Sequence, residues 1–109
     1  MFEIQTYLSE EGDEPYAMWL ASLSDRHTKA RVVVRVSRMA SGNLGDVKSV
    51  GKGVWEARIH HGPGYRLYYA QAAQRLILLL MGGNKATQPA DIVLAQHYWT
   101  DWQRRSKPT

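Results

Sequence analysis

Four Lys or Arg residues, three tyrosines and one glutamate lie within residues 55–88 of this 109-residue chain. The stretch consists of three apolar-rich runs separated by two turn signals, at residues 60–64 and 72–74. This spacing predicts a three-stranded antiparallel meander. Side chains alternate between the two faces of a strand, so one face of the meander should be polar. That face would carry Glu56, Arg58, His60, Arg66 and Tyr68.

Side chains of these types suit the cleavage of RNA by attack of its 2′-hydroxyl group. The reaction needs a base or a positioned cation to activate the 2′-oxygen, positive charge to meet the phosphorane, and an acid to protonate the leaving 5′-oxygen. Arginine, lysine and tyrosine can supply these functions without a metal ion, so we predict neither a metal site nor a cofactor. A purely structural interpretation is that Arg58 and Arg66 pair across strands with Glu56.

Two adjacent histidines, His60 and His61, follow the first run of the meander. Adjacent residues on a strand point to opposite faces, so the pair is not expected to bind one ion. Of the two, only His60 should lie on the polar face, and we interpret it as an ordinary turn residue.

The chain before the meander predicts one strand and two helices. Apolar and polar residues alternate over residues 2–6, which predicts a short strand that joins the sheet. Asp13 can cap a first helix with proline in its first turn. A second helix is predicted from a cap at residue 24 or 25 to about residue 41. The β-branched triplet at residues 32–34 leaves a strand as the alternative.

Turn-rich segments lie on both sides of the meander. Residues 43–53 could contain a short strand at 47–50, and Gly-Gly-Asn-Lys at 82–85 predicts a tight turn after a third strand at 76–81. A last helix should follow Thr87. We therefore predict a single domain over residues 1–109 with the order β-α-α-β-β-β-α, an α+β fold in which helices pack on one face of an antiparallel sheet.

The net charge of +4 is unevenly placed, because residues 26–66 contain nine Lys or Arg and only two acids. A basic surface favours a polyanionic partner, most often nucleic acid, although it can also be merely solvated. Three arginines fall at i, i+4 and i+7 on the second predicted helix, and two lysines lie in the loop that follows. The candidate RNA or ribosome contacts are Arg31, Arg35, Arg38, Lys48 and Lys52.

The composition also bounds where the protein can act. No apolar run reaches the ~18 residues that a membrane span needs, and no basic-then-apolar signal segment opens the sequence. Cysteine is absent, which excludes disulfides and thiolate chemistry. A cytoplasmic location without a membrane partner is the expectation.

Three runs in the meander resemble a known family. They are Glu56-Ala57-Arg58-Ile59, Gly62-Pro63-Gly64-Tyr65-Arg66-Leu67-Tyr68-Tyr69 and Leu78-Leu79-Leu80-Met81-Gly82-Gly83-Asn84-Lys85. With the residues that follow them, they look like the addiction-module killer proteins, the HigB-type, phage Gp49-like branch of the RelE/ParE toxin superfamily. The resemblance is close over residues 55–95 and extends to the N-terminal half in the order of elements only.

The resemblance implies a toxin of a type II toxin-antitoxin module. Its partners would be a helix-turn-helix antitoxin, the ribosome and messenger RNA, and its activity would be ribosome-dependent cleavage of that RNA. No small-molecule cofactor is implied. A ParE-like inhibitor of DNA gyrase and an inactive basic RNA-binding module are the alternatives.

The family pattern also implies roles for individual residues. Arg66 and Lys85 would bind the phosphate, Arg58 would contact the phosphate or activate the 2′-oxygen, and Tyr68 would stack or act as an acid. The chain departs from the pattern at Glu56, where such toxins often have a second basic residue, and between residues 85 and 91, where a tyrosine is missing. Glu56 is then either the general base or a sign of weaker activity.

Overall fold

Residues 1–107 are described by the structure, a computed structural model. They form a five-stranded sheet and three helices, so the α+β class is confirmed. In chain order the elements are β1 (Glu3–Thr6), α1 (Pro15–Ser22), α2 (Arg26–Ala40), β2 (Val47–Ser49), β3 (Val54–Ile59), β4 (Tyr65–Ala73), β5 (Leu76–Asn84) and α3 (Gln88–Ser106). One turn of 3-10 helix, Lys85–Thr87, links β5 to α3. Among these helices, none is long and apolar enough to cross a membrane.

The predicted meander is present as β3, β4 and β5, paired antiparallel. The sheet order is β1-β5-β4-β3-β2, so β5 is a central strand, as its continuous apolar sequence indicates. The prediction of a wholly antiparallel sheet is wrong, because β1 pairs with β5 in parallel. The two helices after β1 carry the chain across to β2 at the far edge of the sheet, where the antiparallel strands begin.

Helices cover both faces of the sheet, and the prediction that they pack on one face is wrong. Tyr16 of α1 and Val32 of α2 lie in one apolar cluster with Leu67. Trp99 of α3 lies in a second cluster on the opposite face, with Tyr68 and other residues of β3, β4 and β5. Strands β4 and β5 are apolar on both sides along most of their length, so each face needs a helical cover to remove it from water.

Strand β5 continues through the glycine pair that the sequence marked as a turn. The strand ends at Asn84, and both glycines are buried within it. A side chain at Gly82 would collide with the ring of Trp19 from α1, and one at Gly83 would collide with Asp91 from α3. The glycines therefore permit close approach of helices on both faces, and the turn between β4 and β5 lies at residues 74–75 rather than 72–74.

The second helix forms as predicted, in spite of its β-branched triplet. Asp25 caps α2, and its carboxylate accepts a hydrogen bond of 3.0 Å from the backbone N–H of His27. The cap predicted for α1 is wrong, because Glu14 rather than Asp13 occupies that position and makes no side-chain cap. The short strands predicted at the N-terminus and after α2 are confirmed as β1 and β2.

A buried carboxylate anchors the C-terminal end of α3. Asp101 accepts hydrogen bonds from the Tyr7 hydroxyl at 2.6 Å and from Nε of Arg105 at 2.9 Å, and it is also bound by Arg104. The hydrogen bonds from Tyr7 and Arg104 hold the pKa of Asp101 well below its usual range. Burial of the phenol, and then its hydrogen bond to Asp101, raise the pKa of Tyr7 to about 12.

This network predicts a specific loss of stability in acid. The pKa of Asp101 is lower in the folded chain than the ~3.9 of an unfolded aspartate, so its stabilisation is complete above that pH and is lost as the pH falls through the folded value. We expect Asp101→Asn to lower the melting temperature at pH 7 and to reduce the further fall in acid. Thermal melts of both proteins from pH 7 to pH 2 test this, and parallel curves would contradict it.

Candidate functional site

A fully buried glutamate lies at the centre of the candidate site. Glu56 is 0% exposed and projects from β3 to the face that α3 covers. Four side-chain donors surround its carboxylate: Nε of Arg58 at 3.2 Å, Nη1 of Arg66 at 3.3 Å, the hydroxyl of Tyr68 at 3.2 Å and Nε2 of Gln88 at 2.7 Å. A buried charge is tolerated only when it is paired and hydrogen-bonded in this way.

The two arginines of the site lie directly opposite each other. Arg58 of β3 pairs in register with Arg66 of β4. Like charges in that position repel, and the ion pairs that both make to Glu56 offset the repulsion. The predicted register is confirmed, because Arg58, Arg66 and Tyr68 share one face while Ile59 and Leu67 lie on the other. Both arginines pair with Glu56, as the structural interpretation expected, but only Arg66 does so across strands, because Arg58 and Glu56 lie on the same strand, β3.

Arg58, Arg66 and Lys85 line one cleft of about 370 Å³, which we call the turn cleft. Its rim is the β3–β4 turn, residues 60–64, and the backbone N–H of Lys85 donates to the carbonyl of Gly64 at 3.2 Å. Three cationic side chains line the cleft, and the single carboxylate of Glu56 pairs with two of them, so the turn cleft is positively charged. The Arg66 side chain is 13% exposed, and its Nε is the one buried side-chain N or O atom without a hydrogen-bond partner within residues 1–107.

Tyr68 is placed near these cations but beneath them. The ring is fully buried and its hydroxyl donates to Glu56. Burial, and then the charge of Glu56, raise the pKa of the Tyr68 phenol well above its usual value. A buried ring cannot stack on a base at the surface, so the stacking role expected for Tyr68 is incompatible with this geometry. The hydroxyl remains protonated and orients Glu56.

The three arginines at i, i+4 and i+7 of α2 do not form one free ridge. Arg35 donates to the backbone carbonyls of Leu44, Arg58 and Asp46 at 3.1, 2.6 and 2.7 Å, and desolvation lowers its pKa. Its guanidinium therefore joins α2 to the loop before β2 and to β3. Arg31 and Arg38 are exposed. They line a second cleft of about 590 Å³ between α2 and the β3–β4 turn, which we call the α2 cleft.

The two lysines predicted to contact RNA lie apart from both clefts. Lys48 is exposed on the edge strand β2. Lys52 is exposed in the turn before β3 and lines a shallow depression beside α3. The structure thus brings Arg58, Arg66 and Lys85 together, and places Lys48 and Lys52 elsewhere on the surface.

Both histidines of the β3–β4 turn line both clefts. Nε2 of His60 lies 2.7 Å from Asp46, and Nε2 of His61 lies 3.4 Å from Asp25. The hydrogen bond from His60 is the main cause that lowers the pKa of Asp46. The chain turns after Ile59, so the strand alternation that separated the two histidines does not apply to them.

Two features of the site were missed by sequence reasoning. Gln88 completes the shell of Glu56 and ties the first residue of α3 to β3. Asn84 and Thr87 form a reciprocal capping box around the 3-10 turn that carries Lys85. The polar residues three apart in Asn84-Lys85-Ala86-Thr87 were a signal for that box, whereas nothing in the sequence marked Gln88 as a partner of a residue 32 positions earlier.

The sequence matches a known protein family. Residues 18–98 match the family described as phage derived protein Gp49-like. This match covers most of the chain, which therefore belongs to the Gp49-like family, a RelE/HigB-like toxin family. An uncharacterized protein of Haemophilus influenzae is 44% identical over 78 residues, which span 72% of this chain and 79% of that protein.

Proposed function

We propose that this protein is the toxin of a toxin-antitoxin module and cleaves messenger RNA on the ribosome. The observation that carries the proposal is the convergence of Arg58, Arg66 and Lys85 on the turn cleft, with one buried carboxylate beneath them. The exposed part of the Arg66 side chain, 13%, lines this cleft and could donate to a phosphate oxygen. Membership of a RelE/HigB-like toxin family supports the same function.

The reaction would depend on positioning and positive charge. Arg66 and Lys85 hold the scissile phosphate and stabilise the phosphorane, which carries more negative charge than the ground state. Arg58, the more exposed of the two arginines, contacts the phosphate or the 2′-oxygen. Lys85 could give a proton to the leaving 5′-oxygen, and the imidazole of His60 or His61 could take the proton that the 2′-hydroxyl group loses.

The remaining residues of the site would position these cations. All four donors to Glu56 are in place, and the side chain is inaccessible, so we assign it the orientation of Arg58 and Arg66 rather than the abstraction of a proton. Tyr68 and Gln88 orient Glu56 in turn. Arg31 and Arg38 would contact RNA or ribosome, and Arg35 would support them by fixing the loop before β2.

The antitoxin partner is a further part of the proposal. A helix-turn-helix protein encoded beside this gene would form a tight complex with it, through acidic residues that match the basic surface. Purification from the native operon should then yield a stoichiometric companion, and the association rate should fall as salt rises. Recovery of this chain alone would contradict the pairing.

Induced expression followed by mapping of messenger RNA 5′ ends tests the activity. Wild-type protein should produce new ends within translated regions and arrest growth. Lys85→Ala should suppress both, because it removes a cation from the turn cleft. It should leave the fold intact, because Lys85 is exposed. Arg75→Ala, an exposed arginine in the turn between β4 and β5, is the matched control and should behave as wild type. Growth arrest without new RNA ends would instead favour inhibition of DNA gyrase.

A further inference from the structure

The α2 cleft combines two kinds of surface. Arg31, Val34 and Arg38 line it from α2 with spacings of three and four residues, which place them on one side of that helix. Ile59 lines it from the end of β3. Val34 is 48% exposed, although the cleft around it is basic. The exposed apolar surface of Val34 therefore lies between two exposed arginines, with the buried Ile59 beside it.

A nucleotide has the complementary chemistry. Its base offers a flat apolar surface that gains free energy when it leaves water, and its phosphate accepts hydrogen bonds from arginine. The α2 cleft also contains the carboxylate of Asp46, but four arginines line the same cleft and outweigh its charge.

The α2 cleft is also continuous with the turn cleft. Arg58, Ile59, His60 and His61 line both. A strand whose phosphate lies between Arg66 and Lys85 would pass Arg58 and enter the α2 cleft with its next residue. A single polynucleotide can thus occupy both clefts, which a free nucleotide cannot do.

We propose that the α2 cleft binds one nucleotide of single-stranded RNA beside the scissile phosphate, with its base against Val34 and its phosphate between Arg31 and Arg38. This inference rests on the proposed function for the identity of the polymer, but concerns binding and not cleavage. In this arrangement Val34 contacts the base, whereas Arg31 and Arg38 contact only the charged phosphate.

The test measures the binding of a fluorescein-labelled 2′-O-methyl RNA octamer, which cannot be cleaved by 2′-hydroxyl attack, and of an octamer with abasic residues throughout. Val34→Ser should weaken binding of the first on the order of fivefold, as expected when one small apolar contact is lost, and leave the second unchanged. Val93→Ser, an exposed valine on α3, is the matched control. Arg31→Ala and Arg38→Ala should each reduce the salt slope of log K by ~0.7 with both probes.

Three outcomes would overturn the inference. They are an equal effect of Val34→Ser on both octamers, an equal effect of Val93→Ser, and Val34-dependent binding of adenosine monophosphate alone with none for the octamer, which would indicate a free-nucleotide site. Cleavage is scored separately. Binding in this pattern without RNA cleavage would support the nucleotide site and contradict the proposed activity. Cleavage without this binding pattern would support the activity and contradict the nucleotide site.

Discussion

Arg66→Ala is expected to lower the rate of RNA cleavage by about 100-fold or more, the effect of removing one preorganised donor to a developing oxyanion. Arg66 has a property that the exposed Lys85 lacks. It is nearly buried, so its charge acts in a site with little water. An interaction made mainly to the phosphorane is lost from the rate rather than from binding.

Single-turnover cleavage of messenger RNA on ribosomes measures this effect, with Arg75→Ala as the control at an exposed arginine. Thermal melts must accompany the rates, because Arg66 is also an ion-pair partner of the buried Glu56. Rates should be compared at a temperature where both variants are folded. Cleavage by Arg66→Ala at the wild-type rate would place the reaction elsewhere on the protein.

Glu56→Ala is expected to lower the free energy of unfolding by about 3 kcal/mol, near the lower end of the range for removing one partner of a buried ion pair. Without the carboxylate, Arg58 and Arg66 would face each other across the strands uncompensated. The hydroxyl of Tyr68 and the amide of Gln88 would also lose their acceptor. The partial exposure of Arg58, 31%, moderates the loss because water can solvate that guanidinium.

Urea unfolding at pH 7 measures the difference, and Glu11→Ala, at an exposed position in the turn between β1 and α1, is the control. Glu56→Gln should cost less than Glu56→Ala, because the amide oxygen still accepts hydrogen bonds and the cavity is not opened. If Glu56→Ala unfolds at the same urea concentration as Glu11→Ala, the carboxylate does not hold the site together.

Local periodicity in the sequence determines which residues form the strands and helices and which face each side chain occupies. The alternation in residues 55–71 was enough to place Arg58, Arg66 and Tyr68 on one face, because the side-chain period of a strand is two and a slip of one residue would bury the arginines among apolar side chains. The cap of α2 and the start of α3 after Thr87 were readable for the same reason. Each of these features depends on residues that are close in sequence.

Features that depend on distant residues were decided only by the tertiary structure. α3 packs over the sheet face that the sequence predicted to be polar, and Glu56 and Tyr68 are buried there. Because they are buried, both residues can position the arginines but cannot contact the substrate. The helical spacing of Arg35 predicted an exposed arginine, yet its guanidinium donates to three backbone carbonyls outside α2. Strand alternation specifies which face a side chain occupies, but not what covers that face, because the cover is chosen by the apolar surface that the whole chain has to bury.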